Sequence, residues 1–330
     1  MKYCVGYRIE ENDNYINKII ELSKGISEVY FVWGDFENGR NSTLSVNGIT
    51  PWEAQQKQMH DLKRLSEKSI GLNMLFNAMC YGEKSQSRKF FQKIGDTIEF
   101  AGSEYNLLSI TTTSPLIARF TKENFPETEV RASVNMNIGS IEGMEYVSDV
   151  FDSFYLQREQ NRNFAVIRKI KDWCDANGKR LFGLANSGCL NNCSAHTFHD
   201  NLVAHEAQIS AYDNGYEFFG VCRKFLKNNP QRFLDVTGFI RPEDTALYEN
   251  LFDGIKLATR VIKNPYPVLE AYIEKGHFSG NLPGLLEPDH SGVFYPYIIE
   301  NSLIKSCVKD EKLIYCNLNN AKIKLEDGIC

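Results

Sequence analysis

The segment FAVIRKIKDWCDANGKRLFGLANSGC, Phe164 to Cys189, decides how the fold is read. Residues Phe164–Asn177 repeat apolar positions at helical spacing, which predicts an amphipathic helix. Asn177-Gly178 is a stop signal. Arg180–Ala185 follows as a short, almost unbroken apolar run. Such a run suits a parallel strand buried on both faces. It gives way at once to Asn186, Ser187, Gly188 and Cys189. Helix, stop, buried strand and polar strand end make one unit of an α/β repeat.

The same unit recurs outward in both directions. Strands are predicted at Tyr3–Tyr7, Glu28–Trp33, Gly71–Asn77, Leu107–Thr111, Glu129–Val134, Ser153–Gln157, Arg180–Ala185 and Gly254–Ala258. Helical patterns fall between them, including Trp52–Ser66, Ile141–Phe151 and, after the last strand, Pro267–Lys275. Eight such units over about 250 residues predict a TIM-like (β/α)8 barrel. The competing fold is an open doubly wound sheet. No glycine-rich phosphate loop follows the first strand to support it. The expected layout is a barrel over 1–290, a long insertion at 187–252 between strands seven and eight, and a short C-terminal extension at 291–330.

Composition agrees with a globular enzyme-sized chain: 42% hydrophobic and 24% charged residues. No run reaches the ~18 apolar residues of a membrane helix. The N-terminus lacks the layout of a signal peptide, so a cytoplasmic location and no membrane partner are expected. A net charge of -5 argues against a strong general nucleic-acid-binding surface. Nine cysteines in a chain without secretory features point to metal, reactive thiols or burial rather than disulfides.

Barrel active sites lie at the C-terminal strand ends. That register brings Arg8, Trp33, Asp35, Asn77, Cys80, Thr112 to Ser114, Asn135, Asn137, Gln157, Arg158, Glu159, Asn186, Lys256, Thr259 and Arg260 to one face. Arg158-Glu159 reads as an acid or base beside a cation. Asn77 and Asn135 are candidate pocket groups. The sharpest signal is Cys189-Leu190-Asn191-Asn192-Cys193, followed by His196 and His199. Cysteines four apart share a helical face. One reading is zinc held locally by Cys189, Cys193, His196 and His199. The other is an iron–sulfur cluster that adds Cys222, from the same insertion, and Cys80, just past strand three. Placement at the barrel mouth puts the cluster ahead of zinc. Cys4 and Cys174 read as core. Cys307, Cys316 and Cys330 lie in the extension at loose spacing.

Three stretches carry a resemblance: Arg131-Ala132-Ser133-Val134-Asn135-Met136-Asn137-Ile138, Gln157-Arg158-Glu159, and Asn186-Ser187-Gly188-Cys189. Together they resemble the collagenase-like peptidase family. That resemblance implies a TIM-like barrel and a four-iron four-sulfur cluster. It implies Cys189, Cys193 and Cys222 as ligands, with Cys80 as the fourth, and Arg158 and Glu159 lining the pocket. It also implies oxygen-independent hydroxylation of a small molecule or nucleic-acid base, prephenate being the oxygen source in such relatives. A zinc-dependent peptidase or hydrolase is the alternative function, and a non-catalytic binding barrel the second alternative. The cysteine spacing differs from the family's wider pattern, and Gln160 stands where an apolar residue is usual.

Overall fold

In the computed structural model, residues 1–34, 36–39, 48–216 and 218–325 are described. Asp35 and Cys330, both named above, lie outside them. Among the described residues, eight parallel strands close into a barrel in chain order. They are β1 (Tyr3–Gly6), β2 (Ile26–Phe31), β3 (Gly71–Phe76), β4 (Leu107–Thr112), β5 (Glu129–Ala132), β6 (Ser153–Tyr155), β7 (Arg180–Leu184) and β8 (Gly254–Leu257). Closure comes from β8 pairing with β1, Tyr3 opposite Ile255 and Val5 opposite Leu257. An open doubly wound sheet would leave those two edges unpaired, so the competing fold is set aside.

Six helices cover the strands: α1 (Asn14–Glu21), α2 (Pro51–Glu67), α3 (Arg88–Glu104), α4 (Pro115–Asn124), α5 (Ile141–Glu145) and α6 (Phe164–Ala176). Their starts are written in cap residues. The Thr50 hydroxyl accepts from the Glu53 amide, and the Glu53 carboxylate accepts from the Thr50 amide, with Pro51 at the first position. The side-chain oxygens of Ser87, Ser114 and Asn163 cap α3, α4 and α6 by accepting from the amides of Phe90, Ile117 and Val166. On α6 the buried side chains are Phe164, Ile167, Ile170 and Cys174, a single stripe turned to the barrel. Gly178, at φ +63°, then turns the chain toward β7.

Two predicted helices change form. The α5 pattern over Ile141–Phe151 stays α-helical only to Glu145. Beyond it several amides reach only three residues back, as Val147 to Met144, Ser148 to Glu145 and Val150 to Val147, giving tight turns. Pro267–Lys275 begins one residue earlier as α-helix and becomes a π-helical turn over Glu270–Lys275.

Among its described residues, the insertion holds the short α-helices α7 (His196–Ala204), α8 (Glu206–Ile209), α9 (Val221–Asn228) and α10 (Phe233–Val236). In the extension, β9 (Tyr297–Ile299) pairs with β12 (Lys322–Lys324), and β10 (Lys305–Lys309) with β11 (Lys312–Cys316). That hairpin docks beside the start of α6. The Phe164 amide donates to the Glu311 carbonyl, and Tyr315 stacks on Phe239. Cys307 and Cys316 are exposed on it. No helix among the described residues is long and apolar enough to cross a membrane.

The barrel interior carries a charged network in addition to apolar packing. Arg131, fully buried on β5, pairs with Glu28 of β2 and with Glu129. Its Nε also donates to the Ser153 hydroxyl at 3.0 Å, and its guanidinium lies 3.7 Å from the centre of the Phe182 ring. Cys4 lies in the same neighbourhood. Burial first, and the Glu28 carboxylate second, push its thiol up to about 12. Cys174 is pushed to about 12 by burial as well. Both are held as neutral thiols, which fits the core role read from the sequence.

Candidate functional site

The turn after β7 is held from three sides. Asn186 is wholly buried and works as a clamp. Its amide nitrogen donates to the carbonyls of Ala258 and Leu285, and its oxygen accepts from the Ala258 amide at 2.6 Å. A second support is the segment after the barrel. The Glu287 amide donates to the Asn186 carbonyl at 2.9 Å, and the Gly188 amide donates to the Glu287 carbonyl at 2.8 Å. His290 then donates from Nε2 to the Gly188 carbonyl at 2.8 Å. The third support carries the far half of the turn. The Asn191 amide reaches the Val236 carbonyl at 2.6 Å, and the Asn192 amide reaches Glu159 Oε1 at 2.9 Å. Asn192 takes the left-handed conformation, φ +54°, which asparagine tolerates.

His290 has a consequence for pH. Its ring is buried, and Nδ1 has no hydrogen-bond partner. Desolvation holds its pKa below the ordinary value, outweighing the bond to Gly188. The folded state therefore resists protonation while the unfolded state does not. The His290 contribution is fully present above the unfolded value of ~6.5 and is lost as pH falls through the lower folded value. Replacement by glutamine should cost stability at pH 7, and that cost should shrink between pH 7 and pH 5. Denaturant titrations of both proteins across that range measure it; a constant difference would refute the assignment.

Cys189 and Cys193 face a cavity of about 420 Å³ roofed by α7 and α9. Cys222, on α9, lines it too, as do His196, His199, Asp200 and Arg158. Burial raises the Cys222 thiol, and Cys193 nearby raises it further, against backbone amides that favour the thiolate. His196 is tied into a polar relay. Arg158 Nη1 stands 2.7 Å from His196 Nε2, and Asp200 Oδ2 stands 3.2 Å from the same nitrogen. Arginine only donates, so Nε2 accepts and the proton of a neutral ring sits on Nδ1. The Asn137 amide lies 3.3 Å from Nδ1, and turned oxygen-first it accepts that proton. His199 packs its ring against Phe218.

Arg158 also faces the barrel mouth. Its Nη2 donates to Asn135 Oδ1 at 3.0 Å. A second pocket there, about 60 Å³, is lined by Asn77, Asn135, Arg158, Lys256, Arg260 and Glu287. Lys256 is buried with its ammonium 4.0 Å over the centre of the Tyr30 ring. Arg260 donates to Asn38 at 2.7 Å. Three cations against one carboxylate, in a mouth walled by Leu75, Val134 and Leu184, favour an anionic group. Arg158 and Glu287 line both cavities, so the two adjoin.

Several expected residues therefore meet, and others stand apart. Asn77, Asn135 and Arg158 share the mouth pocket. Cys189, Cys193 and Cys222 share the adjoining cavity. Glu159 points the other way, toward a groove with Arg162, Asp235 and Tyr315, and serves the cysteine turn through Asn192. Cys80 is absent from the cavity lining. Its sulfur accepts from the Gly82 amide at 3.3 Å. Among the described residues, no three His, Cys, Asp or Glu side chains converge on one metal-ion position. Sequence reasoning passed over Asp200, Glu287 and His290. The first was legible, since His196 and Asp200 are four apart on a helix. Glu287 and His290 act across about a hundred residues and leave no local pattern.

No family model matches the chain. It is similar to an uncharacterized protease of Methanocaldococcus jannaschii, 26% identical over 290 residues, spanning 83% of this chain and 80% of that protein. Its fold is similar to the solved structure of a U32 peptidase, with a TM-score of 0.55 and 12% identity, covering 78% of this chain and 91% of that one. With the strand-end motifs already described, these likenesses make the chain similar to the collagenase-like peptidases, and the barrel fold is the one the U32 peptidase structure has.

Proposed function

We propose that this protein is an iron–sulfur enzyme that modifies a small molecule or a nucleic-acid base at the C-terminal face of its barrel. The observation that carries the reading is the grouping of Cys189, Cys193 and Cys222 around one cavity that adjoins a cationic barrel mouth. A four-iron cluster is wider than a single ion. Its thiolates surround a volume and need not meet at one point. The donor set is soft and thiol-rich, as iron–sulfur centres require. When bound, such a cluster supplies one-electron transfer. The chain's own residues have separate tasks. Arg158 and Lys256 hold an anionic group in the mouth. Asn77 and Asn135 offer amides that fix its orientation. His196, whose Nε2 accepts from Arg158, carries its ring proton on Nδ1 toward Asn137 at the boundary of the two cavities. Oxygen-independent hydroxylation is the reaction class that the resemblance suggests for this arrangement.

The test is purification without air, followed by iron, acid-labile sulfide and visible absorption. The expected result is a brown protein with iron and sulfide in equal amounts, and loss of both in Cys189→Ala. A colourless, iron-free protein would overturn the reading. The second reading, a metal-dependent peptidase, is favoured by the name of the archaeal relative. It predicts stoichiometric zinc and peptide cleavage abolished by chelation. In it, His196 would have to leave Arg158, Asn137 and Asp200 to become a ligand.

A further inference from the structure

We infer that β10 is a docking edge, to which an extended acidic peptide adds as an antiparallel strand. The argument starts from register. In the β10–β11 hairpin Cys307 lies opposite Ile314, Val308 opposite Leu313, and Lys309 opposite Lys312. The Leu313 amide turns away from β10 and reaches the Arg162 carbonyl at 2.9 Å. Val308 and Leu313 are therefore a non-hydrogen-bonded pair, so the amide and carbonyl of Val308 point away from β11. Ser306, two residues earlier, points its own groups the same way. The other edge of β11 is taken by the segment from Arg162 to Phe164, whose last amide donates to the Glu311 carbonyl. The outer edge of the hairpin is thus β10, which among the described residues pairs with β11 alone. All five of its residues are exposed.

The side chains select the partner. Leu313 and Tyr315 are buried, and on their side the Ser306 hydroxyl donates to Asp244 Oδ1 at 2.7 Å. Lys305, Cys307 and Lys309 therefore project outward, on the same face as Lys312. Lys309 and Lys312 stand directly opposite each other, where like charges repel. Against these three lysines the turn offers Asp310 and Glu311, and Glu311 is paired with Arg168. Lysines on an edge turn away basic strands. They attract a strand with a carboxylate at every second position, because that period puts each carboxylate on the lysine face. Its intervening residues would lie beside Val308, which is half exposed, so small apolar side chains fit there. A second copy of β10, paired antiparallel about Cys307, would set Lys305 against Lys309 and fits worse.

The probe is a fluorescein-labelled heptapeptide alternating glutamate with valine, titrated into the full chain and read by anisotropy. Saturable binding is expected, weakened by salt and weakened about tenfold when Lys305→Glu and Lys309→Glu are combined. Val308→Pro deletes an edge amide that β11 does not use, a position where proline is tolerated, and should abolish binding. The same peptide N-methylated at its valines tests that bond on the unaltered protein and should not bind. Absence of saturable binding, or undiminished binding of the methylated peptide or by Val308→Pro, would overturn strand addition. Equal binding of a lysine–valine peptide, or tighter binding of an oligouridylate, would overturn the acidic-peptide assignment. Dimerisation that is lost in Val308→Pro would give the edge to a second copy and overturn it too.

Discussion

Replacing Arg131 by methionine should lower stability by about 3–5 kcal/mol, the cost of stranding buried charge. Arg131 is fully enclosed and serves Glu28, Glu129 and the Ser153 hydroxyl at once. Without it two carboxylates remain inside the barrel with their main counter-charge gone. Methionine fills much of the volume but offers them nothing. Arg180 is the control. It also pairs with Glu129, but its side chain is half exposed. Solvent screens it, and Arg180→Met should cost no more than about 1 kcal/mol. Denaturant midpoints of the two variants decide the matter. Equal losses would mean that the interior network is not what holds the barrel.

The second large effect is expected at Gly188. A Cβ there would fall inside the van der Waals envelope of the Pro288 carbonyl oxygen and press on the His290 ring and Leu286. The obstacle is backbone, so no flexible side chain can swing away. Gly188→Ala should therefore push the 286–290 segment off the cysteine turn, at about 1–3 kcal/mol for overpacking. Under the iron–sulfur reading its iron content should fall steeply. In metal-free protein Cys189 should be alkylated faster, because its turn is no longer pinned. Gly292→Ala serves as the neighbour without an effect, since a Cβ there meets nothing within 4 Å. An unchanged alkylation rate at Cys189 would sink the claim that this segment positions the thiol.

The strands were legible because parallel barrel strands are buried on both faces and read as apolar runs. Helix starts were legible because Thr50, Ser114 and Asn163 are chemically committed to capping. The site was legible in part. Asn135, Arg158 and the Cys189–Cys193 turn sit where the strand ends put them. Glu159 read as Arg158's companion, but the two lie on a tight turn whose successive side chains diverge. Arg131 sits in a motif that carried the family resemblance, and its contacts are those of the barrel interior. Cys80 shares a barrel face with the other cysteines, yet a face is wide and α7 spans much of it. The hold of Glu287 and His290 on Gly188 depends on how the chain returns after the barrel, which no short window of sequence encodes.

The long reach of that hold sets an order of assembly. Asn186 grips a carbonyl 99 residues further on, and Glu287 and His290 come later still. At synthesis rates of 5–20 residues per second, the cysteine turn is made roughly 5–20 s before its last support exists. During that interval Cys189 and Cys193 are unclamped thiols on an unfinished barrel. A ribosome stalled shortly before Glu287 would therefore display both cysteines without the contacts that pin their turn, so the turn reaches its final form only after the segment beyond the barrel has been made.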